Sequence, residues 1–417
     1  MTMTRRELLL GSALACCIPS VLAKPARPRI IVIGGGWGGL AAASQLAVIA
    51  DVLLIERNPS FLSWPLSNRW LAGLDDGRRL YQDYAAAATA LGYRFLRDEV
   101  QGIDRERRQV RTTQSSFPYD WLIVAAGIGE ADLALFAGDT QAAAFTRQHF
   151  ASAYSANHEL AALQAKLAGF SGGDFLLSLP PAPYRCPPAP YERAVIIADM
   201  IKRGRLKARL TVVDPNPPWP AYQRIFNDFY RDQVHYLPNT TLRQLDPYKK
   251  VASLDIDELH FDEAIIMPPQ QAAGICRRTG LTAADSVWAA VNSRNFQFLD
   301  DPQIFVIGDS VGSVSPLFGH YPKTGQLAAR MGQIVAAEIN GRVTDWVPEP
   351  TLPESTCFAY LNLHPAQFTR IETRYRVRGD GALIQSIKQQ QENNPQGEED
   401  LWLNAWHRSL FGSTVRV

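Results

Sequence analysis

The chain has 417 residues, more than one ordinary domain holds, so two or three packed domains are expected. Hydrophobic residues make up 46% of it, enough for a sizeable core, and no apolar run after residue 30 is long enough to span a bilayer. A formal net charge of +1 gives no electrostatic case for nucleic acid as a partner.

The N-terminus reads as a targeting segment. Arg5-Arg6 precede an apolar stretch to Leu22, and Val21-Leu22-Ala23 is a small-residue cleavage site. The paired arginines point to the twin-arginine route, which would carry a folded, cofactor-loaded protein to the periplasm. A signal anchor, or a short helix packed on the domain, are the alternatives. Cys16 is a candidate lipoprotein cysteine, but Ala13 is a poor start for that motif. Residues 1–23 are thus expected to be removed, leaving a mature chain that begins near Lys24 in a compartment that permits disulfides.

Arg29 to Ile33 is a short β-branched run of the buried-strand kind. It enters Gly34-Gly35-Gly36-Trp37-Gly38-Gly39, where Gly34, Gly36 and Gly39 have G-x-G-x-x-G spacing. A helical run, Leu40 to Ile49, and a second strand, Val52 to Ile55, lead to Glu56, twenty residues beyond Gly36. Gly34 makes the tight turn, Gly36 admits a pyrophosphate, and Gly39 lets helix and strand pack closely. Phosphates would sit on the helix N-terminus, and Glu56 would accept from a ribose hydroxyl. Strand, glycine turn, helix, strand and acid in this order predict a dinucleotide site.

Phe61 to Asn68 is a connection suited to wrap the cofactor, and Arg69 to Leu91 reads as helix interrupted near Gly73 to Gly77. Tyr93–Leu96, Gln101–Asp104 and Gln109–Thr113 read as short strands, with Arg105 to Arg108 a solvated hairpin turn. Tyr119 to Gly127 is another buried strand, whose small end at Ala126 and Gly127 leaves room for a bound dinucleotide. Residues 131–169 are mostly helical. Asp174 to Leu179 begins a second α/β unit, but Pro180-Pro181 and a proline-rich tract to Glu192 follow where a second glycine fingerprint would stand. Prolines lack the N–H donors of a phosphate cradle, which argues against NAD(P)H binding. The unit continues with a helix, Tyr191 to Lys202, and a strand, Arg209 to Asp214. Phe261–Met267 and Gln303–Ile307 are further strands. The second of these ends in Gly308-Asp309, where the acid would bind a ribityl or ribose hydroxyl or cap the next turn. A helix from Lys323-Thr324-Gly325 to Ile339 would aim its N-terminal dipole at an electron-rich ring. A C-terminal domain starts at Trp346, and Gln389 to Asp400, polar and acidic, reads as a surface loop.

Of five cysteines, Cys186 sits in the proline tract, between Arg185 and Glu192, and Cys357 lies in the C-terminal segment. A stiff frame suits a redox thiol, while a structural disulfide or two buried free thiols are the competing readings. Spacing alone does not give connectivity. Cys276 reads as a core residue. The seven histidines show no metal spacing, and no C-x-x-C-H attaches haem.

The order Arg5-Arg6, Gly34-x-Gly36-x-x-Gly39, Cys186-Pro187-Pro188-x-Pro190-Tyr191-Glu192, Gly308-Asp309 and Cys357 resembles the flavoprotein subunit of flavocytochrome c sulfide dehydrogenase. That family is similar to sulfide:quinone oxidoreductases and glutathione-reductase-type flavoproteins, and the likeness covers nearly the whole chain. The resemblance implies an α/β fold with two Rossmann-like FAD/NAD(P)-binding-type domains and a C-terminal α+β domain. The expected bounds are 24–140 with 300–345 for the FAD domain, 141–299 for the second unit without a usable NAD(P) fingerprint, and 346–417 for the flavin-interface domain. The expected FAD contacts are Gly34, Gly36, Trp37, Gly38 and Gly39, then Glu56, Arg57, Asn68, Val100, Ala126 and Gly127, and finally Gly308, Asp309, Lys323, Thr324 and Trp406. The family often attaches FAD through a cysteine in the stretch matching Ser63 to Asn68, where this chain has Trp64, so FAD is expected to be noncovalent.

By the same resemblance Cys186 and Cys357 form a redox disulfide beside the flavin, with Glu192 near it. Hydrosulfide would open the disulfide to a persulfide and a thiolate, the competent sulfur species. Cys357 is expected to pass the electron pair to FAD, Glu192 to accept a proton or else to balance Arg185 or Arg193, and a c-type cytochrome subunit to take electrons. An enzyme for another thiol or sulfane compound, a quinone-linked relative and a non-catalytic flavin-binding subunit are the alternatives.

Overall fold

The computed structural model describes residues 27–154, 157–315, 319–392 and 397–412. The targeting segment, residues 1–23, lies outside them. β1 (Arg29–Ile33) places four consecutive apolar residues in the interior, as a strand covered on both faces requires. It leads through the glycine turn into α1 (Trp37–Leu46) and β2 (Asp51–Glu56), a right-sized crossover for parallel pairing. With β3 (Arg94–Arg97) and β4 (Trp121–Val124) these strands form a parallel sheet in the order β4-β1-β2-β3.

The second unit is β5 (Gly173–Ser178), α2 (Ala189–Gly204), β6 (Ala208–Asp214), β7 (Val234–Pro238) and β8 (Glu263–Ile266), parallel in the order β7-β6-β5-β8. An antiparallel pair, Ile128–Glu130 with Gln270–Ala272, ties the outgoing and returning connections together. The chain then returns, and β9 (Ile304–Val306) adds to β4 in the first sheet. α3 (Gly325–Thr344) lies against α1 at backbone distance: a Cβ on Gly332 would stand 2.3 Å from the Gly38 carbonyl oxygen. That close approach holds the N-termini of both helices on the same side of the sheet.

The C-terminal segment is an antiparallel meander, β10 (Ser355–Asn362), β11 (Gln367–Val377) and β12 (Leu383–Glu392), followed by α4 (Glu398–Phe411). Two sequence expectations fail. The described ends of Gln389 to Asp400 are not surface loop: Gln389, Gln390 and Gln391 pair with Ile371, Arg370 and Thr369, and Glu398 to Asp400 form the first turn of α4, while residues 393–396 lie outside the described residues. A strand with a solvated face tolerates glutamines, and acidic residues at a helix start complement its dipole. Nor is Arg69 to Leu91 mainly helix. The α-helical stretches are Ser67–Leu71 and Tyr84–Leu91; between them Arg78–Leu80 is a 3-10 turn and Tyr81–Gln82 pairs as strand with Phe61–Leu62. Among the described residues no helix is long and apolar enough to cross a membrane.

Candidate functional site: a dinucleotide cavity with two thiols

A cavity of about 520 Å³ lies where both α/β units and the C-terminal segment meet. The expected contacts line it, apart from Gly39 and Trp406. Gly39 does its work beneath the surface, since a Cβ there would stand 1.9 Å from the Gly34 carbonyl oxygen. Trp406 sits one helical turn too far along α4. It packs 6.0 Å from the Trp37 ring, under the Arg330 guanidinium, and Trp402 faces the cavity in its place.

The lining suits a dinucleotide. At Gly36 an added Cβ would meet nothing within 4 Å, so backbone is presented to open space at the start of α1. Glu56 ends β2 with Oε2 accepting the Gly35 N–H at 2.8 Å and Oε1 accepting from Asn58, and Oε2 keeps capacity for a hydroxyl donor. The buried indole N–H of Trp37 has no partner. Thr324 caps α3 through Leu327 N, so a second helix N-terminus opens on the cavity. Asp309 is neither free nor a simple cap: its Oδ2 accepts from Arg185 Nε at 2.6 Å. Lys323 donates to the carbonyls of Asp309 and Val311 at 2.8 and 3.1 Å, and burial lowers its ammonium to about 8.

The thiols come from opposite parts of the chain. Cys186 precedes α2 in a left-handed conformation, φ +47°, fixed by its N–H on Lys323 O at 2.8 Å and its carbonyl on Ala189 N at 2.9 Å. Cys357 is in β10, opposite Ile371. Both are half-buried, reduced and on the cavity wall. A hydrogen bond with the Cys186 sulfur, reinforced by burial, holds the Cys357 thiol well above its ordinary range. Glu192, in the first turn of α2, is buried beside them. Its Oε1 accepts the Tyr360 N–H at 2.9 Å and Oε2 accepts from Asn68 Nδ2. Burial pushes this carboxyl up to about 7. It does not pair with Arg185, which is taken by Asp309, but the charge of Arg193 favours its ionised form while that guanidinium donates to Asn68 and to the carbonyls of Ser152 and Ala153. Cys276 is a core residue, its thiol on Ser310 and pushed by burial to about 11.

Sequence reasoning missed Trp402, Gln326 and Glu399. Trp402 stacks on Trp37 at 5.8 Å and donates to Gln326 Oε1, which also accepts the Thr356 N–H beside Cys357. The repeat of tryptophan at 402 and 406 was the available signal, because i and i+4 share a helix face. In the second unit the matching acid, Asp214 at the end of β6, is fully buried and its oxygens are taken by Tyr191, Tyr236 and Asn216. Asn216 also binds Pro180 O and Ala182 N, so the proline tract and this acid close on each other. Among the described residues no cluster of possible ligands would hold a metal ion.

Residues 160–268 match the family described as sulfide dehydrogenase (flavocytochrome c) flavoprotein chain, central, and residues 28–172 match pyridine nucleotide-disulphide oxidoreductase. The chain is a flavoprotein of the sulfide dehydrogenase and sulfide:quinone oxidoreductase type. It is 25% identical to the sulfide-quinone reductase of Aquifex aeolicus over 342 residues, 75% of this chain and 76% of that one. It is also 25% identical to a type II NADH:quinone oxidoreductase of Staphylococcus haemolyticus over 365 residues, 75% and 82% of the two chains. The solved sulfide:quinone oxidoreductase of Aquifex aeolicus superposes with a TM-score of 0.68 at 19% identity, covering 87% of each chain, which shows the shared fold of this flavoprotein.

Proposed function

We propose that this flavoprotein oxidises sulfide at the Cys186–Cys357 pair and passes the electrons through noncovalently bound FAD to a c-type cytochrome in the periplasm. The observation that carries it is the meeting of two half-buried thiols and the buried Glu192 on the wall of a cavity suited to a dinucleotide. FAD there would supply a two-electron acceptor that releases electrons singly. The glycine turn, Glu56 and the two helix N-termini would hold it, and Trp64 stands in the stretch where a tethering cysteine would be needed.

In the oxidised protein, hydrosulfide attacks the disulfide, one sulfur becoming a persulfide and the other a thiolate. The Cys357 thiolate then bonds the outer sulfur of the persulfide. The S–H proton passes to Glu192, raised by burial to about 7, and the electron pair released is the one that bound FAD would accept. A further hydrosulfide carries the bridging sulfur away as a hydrodisulfide, and the Cys186–Cys357 bond is restored. NADH is left out as donor in this reading, because in the second unit Asp214, the acid at the strand end that matches Glu56, is occupied within the fold. A quinone as acceptor is the second reading, favoured by the similarity to a sulfide-quinone reductase.

Anaerobic titration of the holoprotein with sulfide tests the reading. One equivalent is expected to bleach the flavin in the wild type and not in Cys186→Ser, while NADH leaves both oxidised. Reoxidation by cytochrome c in preference to a soluble quinone supports the cytochrome route, and the reverse order supports the quinone. Bleaching by NADH but not by sulfide would sink the assignment.

A further inference from the structure

Glu399 stands in the first turn of α4, buried, on the wall that also carries Cys186, Cys357 and Glu192. Its counter-charge is incomplete. Arg69 Nη1 lies 3.5 Å from Glu399 Oε2 but 2.7 Å from Asp400 Oδ1. Arg79 joins Asp400 at 2.7 Å as well. Two arginines therefore converge on the half-exposed Asp400, and the buried carboxyl keeps only the longer contact. Glu192 feels the charges of Arg193 and Arg69 without a hydrogen bond from either among the described contacts, the Arg193 guanidinium donating to Asn68 and two backbone carbonyls.

We propose that Glu399 is a positioning residue of the thiol site: Glu192 and Glu399 share one negative charge near neutrality and carry two in the alkaline range where Cys357 ionises, and the C-terminal helix thereby sets how readily Cys357 becomes a thiolate. Two carboxylates near each other in a water-poor site do not both ionise cheaply, and they titrate as a pair. Burial, then the charge of Glu192, push Glu399 up to about 8. Both carboxylates raise Cys357 in turn. The groups that face this pair are Arg69 from the Ser67–Leu71 turn, Arg193 on α2, Tyr222 from the helix Pro220–Phe229, Tyr360 and Cys357 from β10, Cys186 from the proline tract and Asp400 on α4 itself.

This rests on the reading of Cys186 and Cys357 as the redox pair, and its test is independent of turnover. The rate of Cys357 alkylation by iodoacetamide is followed against pH in the reduced holoprotein, by peptide mass. Glu399→Gln, and Glu399→Leu as a second neutral variant, are expected to move the profile to lower pH by roughly one unit, about tenfold faster on its rising limb. A purely structural role would leave the profile in place. An unshifted profile in either folded variant overturns the proposal. If sulfide fails to bleach the wild-type flavin while the shift is seen, the sulfide reading falls and the electrostatic role stands. If sulfide bleaches and the profile does not move, only the role of Glu399 falls.

Discussion

Cys186 is held in the left-handed region, which costs a non-glycine residue about 1 kcal/mol or more and is kept only where the surroundings dictate it. The prolines before and after it, and the bond from its N–H to Lys323 O, are those surroundings. Beside it Glu192 is a group whose titration bears on stability. Its carboxyl is raised to about 7 in the fold, against about 4.3 in an unfolded chain. The native state therefore binds the proton more tightly, and the stabilisation is complete below pH ~4 and lost as pH rises through 7. Between those limits Glu192 alone lowers stability by on the order of 3–4 kcal/mol. Glu192→Gln should flatten the decline in melting temperature measured from pH 5 to pH 8. A decline as steep as that of the wild type would show that the carboxyl is not raised.

At the scale of elements, the β1–α1 turn separates two glycine roles that one motif conflates. Gly39→Ala drives a methyl group into the Gly34 carbonyl, and should cost about 3 kcal/mol or prevent folding. Gly36→Ala meets nothing in the protein, so the chain should fold normally yet lose FAD, read as a fall in the ratio of flavin to protein absorbance. Equal flavin content in the wild type and Gly36→Ala would place the pyrophosphate elsewhere. This turn was legible in the sequence because its constraints are local: spacing, small residues and an acid at the next strand end. The C-terminal elements were not. Gln389 to Gln391 are strand only because β11 pairs with them, and Glu399 is buried only because α4 docks on Arg69. The displacement of the site from Trp406 to Trp402 is likewise a matter of where that helix comes to rest.

Across the whole molecule, two similar α/β units have different fates. In the first, Glu56 opens on a cavity; in the second, Asp214 is buried beneath tyrosines and the proline tract. The proline signal was readable from sequence, whereas the closing contacts of Tyr236 and Asn216 come from neighbouring strand ends and were not. The tract that no longer serves a nucleotide presents Cys186, and the C-terminal meander brings Cys357 to it. The central claim is that these two sulfurs form one redox couple that reacts with sulfide. Its most direct measurement is mass mapping of the oxidised holoprotein under non-reducing conditions, before one equivalent of sulfide and again after it, with alkylation fast enough to quench before the flavin bleaches. The account predicts a single linked peptide joining Cys186 and Cys357 beforehand, and afterwards one extra sulfur on one of the two and an alkyl group on the other. A flavin reduced by sulfide while both cysteines stay unlinked and unmodified would contradict it.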